Sequence, residues 1–280
     1  MGIEWIIDQR FENKTLRSFF AYHHLGKALT HQLFQERRIK VNDQIILHDH
    51  LFHLNDHLII EFSSETESLI DHEPIDIVYE DQDILIVNKP QGILVHDDGV
   101  SKTSLTRRVA GYAATLHYPY RMLPAHRIDK ETTGLVLFAK HPLALSYLSY
   151  LFEEQNLEKI YICEVKGLIK DEEGTIDLPI ARDRHDNKMR VDRMGKPAKT
   201  YYQVMEKKKE TTLLKVKIFG GRTHQIRVHF SYKGYPVVGD DRYGRPSSDA
   251  LKLHFQTLKF IHPRTGEMVE VSTKPPFIHL

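Results

Sequence analysis

Leu123-Pro-Ala-His-Arg-Ile-Asp-Lys-Glu-Thr-Thr-Gly134 concentrates His126, Arg127, Asp129, Lys130 and Glu131 into one turn, which runs directly into the apolar strand pattern Gly134-Leu-Val-Leu-Phe-Ala139. Loops seated against rigid strands often carry catalytic groups. A carboxylate held among cations keeps its charge and can serve as nucleophile or base. A solitary loop of this kind also fits an ordinary charged surface turn, so the flanking segments matter.

Working outward, strand patterns recur at Ile75–Tyr79, Asp83–Val87, Ile160–Val165, Thr200–Val204 and Leu213–Ile218, and helical patterns at Ser104–Ala114, Pro142–Glu154 and Thr223–Lys233. One α+β domain over 75–280 fits these pieces. Residues 10–62 read as a smaller α+β unit within a module spanning 1–63: a helix carrying Leu16, Phe19 and Phe20 and ended by Gly26, a second helix over Ala28–Arg38, then short strands near Ile39, Ile45 and Leu54–Ile60. The acidic stretch 64–74, ending in Pro74, reads as the linker.

The chain has 280 residues, 41% hydrophobic and 28% charged, a composition that excludes fibrous and low-complexity classes. Its one cysteine, Cys163, rules out an internal disulfide framework and a multi-cysteine metal cluster, and fits a reducing compartment. The opening residues lack the basic flank of an export signal and are too short to span a bilayer, so a cytoplasmic protein with no membrane partner is expected. The net charge of +1 conceals a split: residues 1–90 carry 8 basic and 16 acidic side chains, residues 91–280 carry 31 and 22. The basic part suits a polyanion partner. The five histidines between His48 and His72 alternate with apolar residues and lack the fixed spacing of a metal site.

Two further segments carry potential chemistry. In Gly220-Gly-Arg-Thr-His-Gln-Ile-Arg-Val-His229, Arg222 is positioned to enter a cleft before a helix begins, with Arg227 more than one turn further on; an arginine there can pair with a buried carboxylate or clamp phosphate. His224 and His229 lack the zincin spacing. Val87-Asn-Lys-Pro-Gln-Gly-Ile-Leu-Val-His96 is a strand and a turn without P-loop spacing.

Taken together, His126-Arg-Ile-Asp-Lys-Glu-Thr-Thr-Gly134 resembles the central motif of the RluA-type pseudouridine synthases. In the same family order come Asn88–Gly92 with His96, Lys159-Ile-Tyr161, Gly195–Thr200, Gly221–His229, Gly239–Gly244, Leu251–His254 and His262–Gly266, covering about 80–277. Ile128 and Phe255 depart from the usual residues, and neither is expected to touch a group assigned to chemistry. The resemblance implies a mixed, largely antiparallel sheet flanked by helices and loops. It implies isomerisation of uridine to pseudouridine in ribosomal or transfer RNA, with no cofactor and no metal. Asp129 takes the position of the catalytic aspartate, Tyr161 that of the active-site tyrosine, and Arg222 that of the basic residue paired with the aspartate. Arg127 is expected to fill the gap left by an extruded base, with His126 also on the substrate side, and Ile226 to pack on the uracil. The stretch 182–199, with 7 basic and 3 acidic residues, is expected to line the RNA path through Arg184, Lys188, Arg190 and Arg193. Residues 1–63 resemble, more weakly, the alpha-L RNA-binding fold of ribosomal protein S-four, in degenerate form.

Two other readings fit fewer residues. A non-catalytic RNA-binding protein on this scaffold would not need Asp129, Tyr161 and Arg222 together. A magnesium-dependent aspartyl-phosphate phosphotransferase, using Asp240 and Asp241 for the metal, would place its aspartate after a buried strand. A monomer is expected.

Overall fold

The structure of the chain, a computed structural model, describes residues 2–63, 69–101, 103–184, 186 and 188–278. The N-terminal unit begins with a strand the sequence reading missed, β1 (Ile3–Ile6), whose Ile3 and Trp5 point inward. Thr15 caps α1 (Leu16–Tyr22) by accepting the Ser18 N–H at 3.2 Å, and the helix buries Leu16, Phe19 and Phe20. Gly26 does not end this helix; it is the N-cap of α2 (Lys27–Gln35), because the chain already leaves the first helix at His23. Strands β2 (Ile39–Val41), β3 (Gln44–Ile45) and β4 (His57–Ile60) follow, giving an antiparallel sheet in the order β1-β4-β2-β3.

Of the linker, residues 64–68 lie outside the described residues. The part beyond is tied down: the Asp71 carboxylate accepts the Thr103 hydroxyl hydrogen bond and lies 3.4 Å from Arg108.

The second unit comprises β5 (Ile77–Glu80), β6 (Ile84–Lys89), α3 (Leu105–Thr115), β7 (Leu123–Pro124), β8 (Thr133–Ala139), α4 (Pro142–Glu153), β9 (Glu158–Lys166), β10 (Glu173–Asp177), β11 (Ile180–Arg182), β12 (Met189–Val191), β13 (Lys199–Lys207), β14 (Thr211–Phe219), α5 (Gln225–Tyr232), β15 (Leu253–Ile261) and β16 (Met268–Ser272). Its main sheet runs β10-β13-β14-β9-β15-β8-β6-β5, with β16 added to β15 and β7 to β8. The β15–β8 pair is parallel and the other described pairs are antiparallel. Strand β8 is buried along its whole length, as an unbroken apolar run in a central position requires. The β11–β12 hairpin stands apart as its own two-stranded sheet. Among the described residues, no helix is long and apolar enough to cross a membrane.

The two units share a packed boundary. Tyr120 and Leu143 complete the N-terminal core, and Tyr22 stacks on Tyr147 with ring centroids 5.6 Å apart. Arg264 is the fastener: it grips both Asp83 oxygens at 2.6 and 2.7 Å, donates to the Glu4 carbonyl at 2.8 Å, and lies 4.0 Å over the Trp5 ring. Asp83, with a side chain only 1% exposed, also bonds His141 at 2.7 Å. Burial alone would raise its pKa, but His141 and Arg264 hold it well below the usual carboxylate range. Asp81 and His262 lie beside it, with His262 Nε2 2.9 Å from Asp81 Oδ2, while Arg264 and His141 already occupy the Asp83 oxygens a cation would need.

Arg264→Ala leaves Asp83 a buried charge with one partner fewer, and should cost roughly 3–5 kcal/mol in chemical denaturation; a cost below about 1 kcal/mol would show that the fastener is dispensable. A second expectation concerns acid. His23, enclosed by Trp5, Phe11, Phe19 and Tyr147, is held near 4 by burial, the Phe19 carbonyl partly opposing. The unfolded chain therefore binds its proton first, so a stability cost absent above pH 6.5 grows as pH falls toward 4. The melting temperature of His23→Leu should fall less steeply than wild type between pH 7 and 4.5; parallel curves would contradict this.

Candidate active site

Asp129 sits in the turn before β8, and two features hold that turn. Gly134 has φ +113°, and a Cβ there would lie 2.3 Å from the Phe255 carbonyl, so only glycine lets β8 pass this close to β15. Beneath the turn, the buried Lys89 ammonium donates to the carbonyls of Pro90, Ile93 and Lys130 at 2.9, 3.0 and 2.9 Å. Burial pulls Lys89 down to about 8, against the raising effect of Glu131 and Asp129. The Asn88–Gly92 segment is thus the support of the Asp129 loop.

The arginine opposite Asp129 is Arg227, which corrects the expectation for Arg222. Arg227 Nη1 donates to Asp129 Oδ2 at 3.2 Å, while its Nε and Nη2 grip Asp240 at 2.8 Å each. Arg222 instead donates from Nε to the Pro197 carbonyl at 3.1 Å, on the cleft rim. The reason is the local path: Arg222 precedes α5 in a loop, whereas Arg227 projects from the first turns of the helix into the interior. Asp240 has a fully buried side chain and also accepts the backbone N–H groups of Arg242 and Tyr243. Burial would raise Asp240, yet Arg227 and these N–H groups hold it below the ordinary value. Burial likewise would lower Arg227, but its two carboxylates raise it. Gly239, at φ +77° and with the Ala250 carbonyl 2.1 Å from any Cβ, makes the turn that delivers Asp240. With both oxygens committed to Arg227, Asp240 does not offer the magnesium site that the phosphotransferase reading needs.

The cleft, about 140 Å³, is lined by Asp129, Tyr161, Arg227, Ile226, Arg127 and His224 among others. Tyr161 is buried in β9, and its hydroxyl is pushed up by burial and then by Asp129. Phe255 stacks on its ring at 4.5 Å and 11°, so the expectation that Phe255 touches no assigned residue is wrong; Ile128 too lines the cleft. His126 is a second correction. Its ring is turned away from the cleft, stacked on Phe152 at 4.4 Å, with Nε2 accepting the Leu137 N–H at 3.1 Å. Burial first, then Lys159, holds it down to about 3, so it packs the loop as a neutral ring. Lys159 donates to the Gly220 carbonyl and, by burial, falls to about 8.

The motif Gly221–His229 is bolted to its neighbours by residues other than the arginines. Gln225 donates to the Lys199 carbonyl at 3.0 Å and lies 3.1 Å from the Thr200 hydroxyl; His229 donates from Nε2 to the Leu178 carbonyl at 2.9 Å. The expected RNA contacts Arg184, Lys188, Arg190 and Arg193 do not enter the cleft. They belong to the β11–β12 hairpin region, where Arg190 pairs with Asp183 and Asp192 and Lys188 lies 3.5 Å from Asp186; His185 and Asn187 of that stretch lie outside the described residues. Arg227, His224 and Asp240 were missed as site residues. All three stood inside quoted motifs, but spacing alone did not say which arginine faced inward.

Residues 83–232 match the family described as RNA pseudouridylate synthase. An uncharacterized RNA pseudouridine synthase of Bacillus subtilis (strain 168) is 41% identical over 210 residues, 72% of this chain and 69% of that protein. A second from the same organism is 32% identical over 281 residues, 96% of this chain and 92% of that protein. Ribosomal large subunit pseudouridine synthase D of Haemophilus influenzae is 36% identical over 234 residues, 76% of this chain and 71% of that protein. The structure of human RNA pseudouridylate synthase domain containing 1 superposes with a TM-score of 0.62 at 29% identity, over 74% of this chain and 86% of that one. An inward carboxylate, its twice-anchored arginine and these relatives converge: the chain belongs to the RNA pseudouridylate synthase family and is an RNA pseudouridine synthase, an isomerase.

Proposed function

We propose that Asp129 is the essential catalytic carboxylate, with Arg227 as its cationic partner and Tyr161 as the ring against the target uracil. The observation that carries this is the Asp129–Arg227–Asp240 arrangement at the base of the cleft. In the reaction the bond from N1 to the ribose breaks and one from C5 forms, C5 loses a proton and N1 gains one, so no external oxidant or co-substrate is consumed. Asp129 acts either by covalent attack or by taking a ribose proton. The narrow cleft suits a single base extruded from an RNA loop, with Ile226 on its face and Arg127 at the mouth in its place. Arg222, on the rim, contacts the RNA backbone.

The substrate is ribosomal RNA, a reading supported by the name of the Haemophilus relative, with transfer RNA as the alternative to test. The exposed Arg184, Arg190 and Arg193 and the nearby Lys188 serve phosphates from the hairpin. Residues 1–63 form an alpha-L-like module, 64–74 a linker and 75–280 the catalytic domain; the alignment with the second Bacillus relative runs through all three. The enzyme works as a cytoplasmic monomer.

Tritium release from RNA labelled at C5 of uridine, measured on unmodified large-subunit rRNA and bulk tRNA separately, tests the assignment. Wild type should release tritium from rRNA, and Asp129→Asn should lower the rate by about 10²–10⁴-fold with RNA still bound. Unimpaired release by Asp129→Asn would overturn it, and release from tRNA alone would overturn the rRNA reading. Phe255→Leu keeps most of the volume but loses the stack on Tyr161, an interaction of about 0.5–1.5 kcal/mol. Its turnover should fall several-fold at a nearly unchanged melting temperature; wild-type turnover would show that the stack does not position Tyr161.

A further inference from the structure

We propose that Tyr243 and His224 form a positioning relay between the β11–β12 hairpin and Asp129: Tyr243 holds the His224 ring as its Nε2–H tautomer and aims that N–H at the carboxylate, so RNA seated on the hairpin sets how Asp129 is held. The inference rests on the reading of Asp129 as the catalytic carboxylate.

His224 is the N-cap of α5 at φ 57°, ψ 22°, a left-handed conformation uncommon for a residue with a side chain. Such conformations persist where surrounding structure enforces them, and they cluster at functional sites. The side chain does not cap its own helix. Its Nδ1 lies instead 2.7 Å from the Tyr243 hydroxyl, and its Nε2 3.7 Å from Asp129 Oδ1.

The tautomer follows from donor bookkeeping. The backbone N–H of Met189, on β12, donates to the Tyr243 hydroxyl oxygen at 3.0 Å. The phenolic proton is then free for His224 Nδ1, which accepts it. The ring proton therefore sits on Nε2, facing Asp129. The opposite tautomer would aim a lone pair at a carboxylate. The groups around the ring are Asp129 from the turn before β8, Arg227 from α5, and Asp240, Arg242 and Tyr243 from the loop after it. Burial lowers the His224 pKa first; Asp129 and Asp240 oppose this, while Arg227 and Arg242 add to it, leaving the net value below 6.5 and the ring neutral at pH 7.

Tyr243 is itself fixed from three sides. Its N–H donates to Asp240 Oδ1 at 3.1 Å, its carbonyl accepts from Ser231 at 2.6 Å, and Arg227 lies 5.3 Å over its ring. The hairpin lies outside the main sheet and carries Met189 between Lys188 and Arg190. A phosphate drawn to those cations shifts the Met189 N–H, and the shift reaches Asp129 through two hydrogen-bonded rings.

The test uses the full chain labelled with ¹⁵N-histidine, the His224 signals assigned by their loss in His224→Gln. Wild type should show His224 as the neutral Nε2–H tautomer at pH 7. Tyr243→Phe keeps the ring and frees Nδ1, so it should give mixed tautomers and a higher His224 pKa. Its single-turnover conversion of C5-labelled RNA should fall about tenfold, with RNA affinity within about twofold, the loss of roughly one hydrogen bond. Protonated His224 would grip Asp129 as a full ion pair. The acid limb of the rate profile should therefore move to higher pH in Tyr243→Phe and vanish in His224→Gln, which serves as the second variant if Tyr243→Phe does not fold. An Nδ1–H tautomer in wild type, or wild-type tautomer and rate in Tyr243→Phe, would overturn the relay. Retained conversion by Asp129→Asn would instead defeat the catalytic assignment, while the tautomer measurement would still decide the relay.

Discussion

One guanidinium shared between two carboxylates organises this candidate active site. Arg227 gives two of its donors to Asp240 and one to Asp129. The planar fork allows this only if Asp240 lies in its plane, and a buried cation is tolerable only with such a partner. The consequence is functional. In the proposed reaction Asp129 must give up its charge, by esterification or by protonation, at some point in the cycle. Because Asp240 pairs Arg227 permanently, that step does not strand a buried positive charge, and the arginine stays aimed. Much of the C-terminal chemistry serves this end: Gly239 turns the chain, and the N–H groups of Arg242 and Tyr243 join Arg227 Nη2 on Asp240 Oδ1.

A second buried ion pair does comparable work at a distance. Asp83, Arg264 and His141 join the main sheet to β1 through Trp5 and the Glu4 carbonyl. The N-terminal unit is therefore seated on the second unit through aromatic stacking and an arginine. The His262–Gly266 segment gains a physical meaning here, since it supplies the fastener.

Much of this was legible in the sequence. The helices α3, α4 and α5 and the strands β6, β8, β9, β13 and β14 came from apolar runs long enough to stand alone. The turn holding Asp129 was legible because so many titratable groups in twelve residues before an apolar strand are hard to explain otherwise. What escaped depends on neighbours distant in the chain. Strands β15 and β16 are polar in places; β15 gains its pairing from β9 and β8, and β16 gains its own from β15; β1 is four residues long and exists because β4 receives it. Which of Arg222 and Arg227 faces inward depends on where α5 begins and on a left-handed residue at 224, neither of which spacing reveals. His126 looked like a substrate contact because of its motif, yet Leu137 and Phe152 claim its ring.

The central claim is that Asp240, by holding Arg227, sets up Asp129 for reaction. Single-turnover conversion of C5-labelled RNA by Asp240→Asn and Arg222→Gln addresses it directly. The account predicts that Asp240→Asn slows conversion by about 10²–10³-fold with RNA affinity little changed, the scale of losing one preorganised electrostatic contact. It predicts that Arg222→Gln weakens RNA binding but converts bound RNA at close to the wild-type rate. Near-normal conversion by Asp240→Asn, together with abolished conversion by Arg222→Gln, would contradict it.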